Sequence, residues 1–360
     1  MVLLYDIKFP DLDRPLNTRE VQRFIKALWQ STEIWTVYSL SSFLDLLQIE
    51  RTRAARHKDP KFRHLEFRDI LSTTSLINEH QGKSCKDLCE AVSVAFASRI
   101  PSLPLVDETI RDLIKLTIRL WILVKIDFKE PTARWQRQLH FGEGQTLQDA
   151  LKRLHTSPLQ QDADPFNDFP VWFNVVDLER ITGLRIAWAD YITDHLAIMN
   201  GTLYLFQNIE ALKQIRGSNL MFDESGNTLF TREFIQETIN TVFLLFPIKS
   251  EHDFGDWLVK GSRSGLNDWQ QALVADYTQR PSPREVAEYP VWRQRLLRIS
   301  EASRKEGAWS IKRLWYDNRD ESLWWTRWGL ITAGILALIF GFIQSITGII
   351  QVVCAAKSSG

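Results

Sequence analysis

The chain reads as mainly α with a small α/β unit that contains a hairpin, plus one C-terminal transmembrane helix. Three observations carry this reading. Apolar residues recur at helical spacing through the N-terminal third, behind residues that cap helices. Asn200-Gly201, a pair suited to a tight hairpin turn, stands between two short apolar runs. The 29 residues Trp328–Ala356 carry no charge.

Composition narrows the class before any element is placed. The 360 residues hold 44 Lys+Arg against 44 Asp+Glu, with 44% apolar and 24% charged residues. That is ordinary globular composition; it excludes whole-chain disorder and a generally basic nucleic-acid binder. Cys85, Cys89 and Cys354 are too few to staple a chain this long, which points to a reducing compartment.

Residues 1–130 are expected to form a helical cytosolic domain. Asn17 followed by Glu20 makes a capping box, and Val21, Phe24, Ile25 and Leu28 follow on one face. Further helices are expected over Leu40–Ala54, Leu65–Ile77, Lys86–Ala97 and Val106–Val124. The last carries Asp107 and Glu108 in its first turn, where the helix dipole favours acids. Its stretch Leu120–Val124 is apolar all round and should lie at the centre of a core.

Residues 131–250 are expected to form a small α/β domain with a hairpin. Trp135, Leu139 and Phe141 alternate with polar neighbours as in a strand. Thr146 with Asp149 opens a helix over Leu147–Leu154; Asn174 and Asp177 open another, closed by Gly183. The strand Leu184–Trp188 follows, then the hairpin of Leu196–Met199 with Thr202–Phe206, then a helix over Thr231–Leu245. Residues 251–328, rich in Gly and Pro, read as a linker and juxtamembrane amphipathic region. There Trp292, Leu296 and Ile299 share a helical face expected to lie on the cytosolic leaflet.

Residues 329–356 are the expected span. A bilayer core of roughly 30 Å needs about 20 helical residues, and Leu330–Ile350 supplies them. Trp324, Trp325 and Trp328 crowd one end as an interfacial belt. The N-terminus has a short apolar stretch before Asp6 and no basic leader, and Val291–Arg327 holds nine basic residues against Lys357 alone beyond the span. Both features predict a tail-anchored, single-pass protein whose N-terminal region is cytosolic; the membrane itself is not identified. Gly334, Ala337, Gly341, Gln344, Ser345 and Gly348 fall on one helical face, so the lipid bilayer and a second transmembrane helix, or a second copy of this chain, are the expected partners.

Several segments carry a resemblance. Trp292-Arg-Gln-Arg-Leu-Leu297, Leu314-Trp-Tyr-Asp-Asn-Arg319, Trp324-Trp-Thr-Arg-Trp328, Phe340-Gly-Phe-Ile-Gln344 and Gly348-Ile-Ile-Gln351 are similar to a large uncharacterised family of filamentous-fungal proteins. So are Leu184–Asp190, Asp194-His195-Leu196 and the hairpin to Phe206. The resemblance implies a single C-terminal transmembrane helix and brings no catalytic residues with it.

Chemistry-bearing constellations are few. Asp190, Asp194 and His195 could supply the carboxylate and imidazole of a hydrolytic site, yet no Gly-x-Ser-x-Gly elbow completes it. The favoured reading is that they brace the turn before the hairpin. Cys85 and Cys89 share a helical face but lack a second ligand pair for zinc, and read as core thiols. Gly142-x-Gly144 lacks the third glycine of a dinucleotide loop, and Asp162-x-Asp164 lacks the glycine and closing Glu of a calcium loop. Glu251-His252-Asp253 reads as a solvated acidic loop. Arg51–Arg68 holds seven basic residues, with Phe62 and Phe67 interleaved as stacking candidates; a solvated loop is favoured over a nucleic-acid surface. No cofactor and no metal are expected. The functional expectation is an adaptor or scaffold presenting a cytosolic interaction surface. A membrane-tethered hydrolase using Asp190, Asp194 and His195, and a nucleic-acid binder using Arg51–Arg68, are the alternatives.

Overall fold

The computed structural model describes residues 17–31, 35, 40–58, 62, 65–99, 107–129, 138–155, 167–170, 172–218, 229–246, 257, 283–305 and 321–358. They form a mostly helical body with small sheets, reaching Lys305, and a separate C-terminal helix.

The first half of the body is five helices: α1 (Thr18–Trp29), α2 (Ser41–Ala55), α3 (Phe67–Glu79), α4 (Cys85–Arg99) and α5 (Asp107–Trp121). Side chains cap several of these starts. The Asn17 side chain accepts the backbone N–H of Glu20 at 3.0 Å while Glu20 accepts that of Asn17 at 2.8 Å, completing the capping box. Glu66 and Asp69 make the same reciprocal arrangement at α3. Central α5 packs on α2, α3 and α4. Its end is tied to α1 by the Trp29 indole, which donates to the Trp121 carbonyl at 2.8 Å.

Short strands β1 (Ile126–Asp127) and β2 (Leu139–His140) pair in parallel, and α6 (Leu147–His155) follows. The expected strand around Phe141 is thus confined to two residues, and Trp135 lies outside the described residues. The second sheet comprises β3 (Arg185–Ala189), β4 (Ala197–Met199) and β5 (Thr202–Phe206), in the order β3-β5-β4. β4 and β5 are the hairpin, with Asn200 and Gly201 at φ 47° and 70° as the turn requires. β3 lies parallel to β5, in register Ala189↔Phe206. Before β3, α7 (Val175–Thr182) starts at the Asn174 cap and stops at Gly183, whose φ of 71° closes the helix. After β5 come α8 (Ile209–Arg216), α9 (Arg232–Leu244) and α10 (Arg293–Lys305). α8 was not anticipated: its eight residues follow the hairpin within one turn and carry no side-chain cap.

Among the described residues one apolar core runs from Val21 to Ile299, across the division expected near residue 130. The join is Ile122–Val124, fully buried past the end of α5, where Leu123 accepts the backbone N–H of Ile192 at 2.8 Å. One expectation is corrected, that of the juxtamembrane helix. Trp292, Leu296 and Ile299 are buried in the body's core, so this face is not available to a leaflet. Burying apolar side chains of this size contributes about 1.5–3 kcal/mol each.

The second unit contains α11 (Glu321–Ser358), 38 residues long. Its segment Trp324–Cys354 is long and apolar enough to cross a membrane, and none of it is buried.

Candidate functional site

Parallel strands β3 and β5 end side by side, and the polar residues just beyond them are the ones the sequence singled out. Asp190 follows β3 and accepts the Gln207 amide at 2.5 Å; Gln207 follows β5. The Asn208 amide donates to the Asp190 carbonyl at 3.0 Å. Asp194 lies in a 3-10 turn, Ile192–Asp194, and its carboxylate meets the Lys125 ammonium at 2.6 Å. His195 turns the other way, into the core, where it is fully buried. The three candidate residues therefore point to three different partners.

The histidine's tautomer follows from its neighbours. Nδ1 accepts the backbone N–H of Phe206 at 3.2 Å, so in a neutral ring the proton sits on Nε2. Nε2 then donates to the Thr241 hydroxyl, 2.7 Å away, which in turn donates to the Thr238 carbonyl at 2.7 Å. A base that activated Thr241 would need the opposite tautomer. Burial, reinforced by the Arg295 cation, holds the imidazole well below its ordinary value, so it stays neutral. Trp292 covers its face edge-on at 4.9 Å, and Arg295 donates to the His195 carbonyl. The histidine's contacts join β5, α9 and α10.

Sequence reasoning missed the strongest polar cluster, centred on Glu50. Its side chain is 2% exposed and accepts from Arg53 and from the Tyr191 hydroxyl, with Arg119 at 3.5 Å. Lys125 stacks over the Tyr191 ring at 4.6 Å. Burial, then the Glu50 charge, pushes the Tyr191 phenol far above its ordinary value, so it stays protonated and donates to Glu50 while its oxygen accepts from Arg53 at 3.4 Å. Burial also raises Asp190 and Asp45, and the Asp190 charge adds to the rise at Asp45. The only sequence signal was a Glu on the apolar side of α2, four residues after Leu46.

The remaining candidates resolve individually. The loop at Gly142–Gln145 gives its carbonyls to α4: Gln145 accepts from Cys85 at 2.8 Å and Glu143 from Lys86 at 3.1 Å. It therefore caps a helix and does not cradle a phosphate. Phe62 and Phe67 are buried in the core and cannot stack on bases. Arg53 is turned to Glu50, and Arg68 pairs with Glu66 at 3.1 Å. Lys61 and Arg63, like Asp162, Asp164 and Glu251-His252-Asp253, lie outside the described residues. Among the described residues no group of three or more His, Cys, Asp or Glu is placed to hold a metal ion.

On α11 the belt is ordered by ring contacts, Trp324–Trp325 at 5.0 Å and Trp324–Trp328 at 6.2 Å. Ala337, Gln344 and Ser345 are exposed, and a Cβ added at Gly334, Gly341 or Gly348 would meet nothing within 4 Å. Fifteen of the eighteen exposed large apolar side chains among the described residues lie on this one helix. No known protein family, curated protein or solved structure matches the chain.

Proposed function

We propose that the chain is a tail-anchored, single-pass membrane protein whose cytosolic body serves as an adaptor or scaffold. The observation that carries the reading is α11: an apolar surface exposed around the whole helix is unstable in water and suited to lipid. The indole belt at its start supports an interfacial position for Trp324, Trp325 and Trp328. Orientation rests on the short flanks. Lys312, Arg313, Arg319 and Arg327 precede the span closely, against Lys357 beyond it, which favours a cytosolic body. The hydrolase reading is disfavoured by the divergence of Asp190, Asp194 and His195 and by the histidine's tautomer. The nucleic-acid reading is disfavoured by the burial of both its aromatics.

Topology has a built-in reporter. Asn200-Gly201-Thr202 is a glycosylation acceptor, and Asn200 is exposed at the hairpin turn. Full-length protein expressed in a eukaryotic cell should stay in the membrane pellet after alkaline carbonate extraction. It should also show no mobility shift on endoglycosidase treatment. A glycan removed by Asn200→Gln would reverse the topology, and release into the supernatant would remove the span.

We further propose that α11 pairs with another membrane helix through Gly334, Ala337, Gly341, Gln344, Ser345 and Gly348. Small residues let backbones approach closely, and Gln344 gains a hydrogen-bond partner that lipid cannot give, worth about 1 kcal/mol. The open space at Gly341 means that Gly341→Ile does not disturb the lone helix. In a membrane two-hybrid assay of residues 324–360, Gly341→Ile should abolish self-association while Leu338→Ile preserves it. Equal signals from both variants would dispose of this face.

A further inference from the structure

Cys85 and Cys89 stand one helical turn apart at the start of α4. Four residues apart on one helix, their side chains project from the same face. Cys85 is buried and Cys89 partly exposed, so one sulfur is shielded and its neighbour reachable. Three elements converge on the pair. α4 supplies both cysteines. The Gly142–Gln145 loop holds the first turn through the Cys85 and Lys86 N–H groups. α5 supplies Arg111, which is kept close by a 3.0 Å ion pair with Glu143 of the same loop.

We propose that Cys85 and Cys89 form a redox-active dithiol that small oxidants such as hydrogen peroxide convert to an internal disulfide. Cys89 is the attacking group. The neighbouring Cys85 thiol and the Arg111 cation favour its thiolate. These outweigh burial, and its ionisation is lowered while that of Cys85 is raised. The Cys89 thiolate attacks one peroxide oxygen, the O–O bond breaks, and with one proton the second oxygen leaves as water. Cys89 is now a sulfenic acid. The Cys85 sulfur attacks the Cys89 sulfur, the S–O bond breaks, and the hydroxyl leaves as water with the Cys85 proton. In sum, two thiols and one peroxide give one disulfide and two waters.

Helical geometry bears on the bond's character. Residues four apart in a helix have Cα atoms about 6 Å apart, inside the range that disulfides span, whereas their Cβ atoms must draw closer than a helix allows. Cys85 is the first residue of α4, and its N–H is already bonded to the Gln145 carbonyl outside the helix. Unwinding that residue sacrifices little of the intrahelical ladder. The resulting bond is strained, and strained disulfides are readily reduced again, as a reversible switch requires.

The test uses full-length protein in detergent, treated with hydrogen peroxide and then with iodoacetamide, and read by peptide mass spectrometry. The expected product is a Cys85–Cys89 disulfide that dithiothreitol reverses. Before oxidation, Arg111→Gln should slow alkylation of Cys89 about threefold to tenfold, tenfold being one decade of thiolate fraction. Cys85→Ser should leave a Cys89 sulfenic acid that dimedone traps, whereas the wild-type protein should give the disulfide and little adduct. Persistence of both free thiols after oxidation, or over-oxidation of Cys89 without the internal bond, would overturn the proposal. Unchanged alkylation in Arg111→Gln would remove the activating role of that cation.

Discussion

Glu50→Ala should lower the stability of the folded body by about 3–5 kcal/mol, the range for breaking a buried charge network by removing one partner. Glu50 joins three elements: α2, which carries it, α5 through Arg119, and the turn after β3 through Tyr191. Its loss leaves the Tyr191 hydroxyl buried without an acceptor carboxylate and the Arg119 guanidinium, 23% exposed, facing no counter-charge. Arg53, 59% exposed, can turn to water and contributes less to the loss. Glu50→Gln keeps an oxygen for Tyr191 and should fall between wild type and Glu50→Ala. Tyr191→Phe removes one charge-assisted hydrogen bond and should cost about 1.5–3 kcal/mol. Combining Tyr191→Phe with Glu50→Ala should cost less than the two changes separately, since they share a bond. Denaturant titration of full-length protein in detergent, followed by tryptophan fluorescence, measures each loss. A cost below about 1 kcal/mol for Glu50→Ala would place this carboxylate among ordinary surface ion pairs.

The elements that the sequence made legible are those whose cause is local. The capping box at Asn17, the Asn174 cap, the stop at Gly183, the Asn200-Gly201 turn and the uncharged run of α11 each depend on residues a few positions apart. What could not be read depends on distant partners. Strand order β3-β5-β4 inserts β5 between its predecessors, and no local spacing announces a parallel pairing. The period of Trp292, Leu296 and Ile299 correctly marks an apolar face but cannot say whether lipid or protein covers it. In the structure, protein covers it. Likewise His195 finds Thr241 46 residues away, and Glu50 finds Tyr191 141 residues away. The closeness of Asp190, Asp194 and His195 in sequence suits an acid–base cluster as well as the favoured braced turn, and spacing alone does not say which way each side chain faces. In a tight turn they point apart, and each is satisfied by a different element.

Glu237→Gln should change how stability depends on pH, because this carboxyl caps α10 from inside the core. Its Oε1 accepts the backbone N–H groups of Val291 at 2.9 Å and Trp292 at 2.8 Å, at the positive end of the α10 dipole. Burial nonetheless outweighs those two bonds and pushes the carboxyl up from 4.5 to about 7. Between these values the folded protein holds a proton that the unfolded chain has released. The stability this proton represents, about 3 kcal/mol, is fully present below pH 4.5 and is lost as pH rises through about 7. Buried His195 works in the opposite sense. Its folded value lies well below 6.5, so its contribution is present above pH 6.5 and is lost as pH falls through that buried value. In the wild-type body the two slopes oppose each other between pH 5 and 7. Glutamine keeps the accepting oxygen and cannot titrate. Glu237→Gln should therefore be more stable than wild type at pH 8, by up to about 3 kcal/mol, and should uncover the histidine slope, with stability climbing from pH 5 to about 6.5. Glu237→Ala also cannot titrate but abandons both N–H groups, and should be destabilised by about 1–3 kcal/mol per unsatisfied donor relative to Glu237→Gln. Denaturant midpoints of the three proteins across pH 5–8 provide the measurement. A Glu237→Gln curve parallel to that of wild type would show that this carboxyl is already ionised in the folded protein at pH 5, and the cap would then act as a plain buried anion.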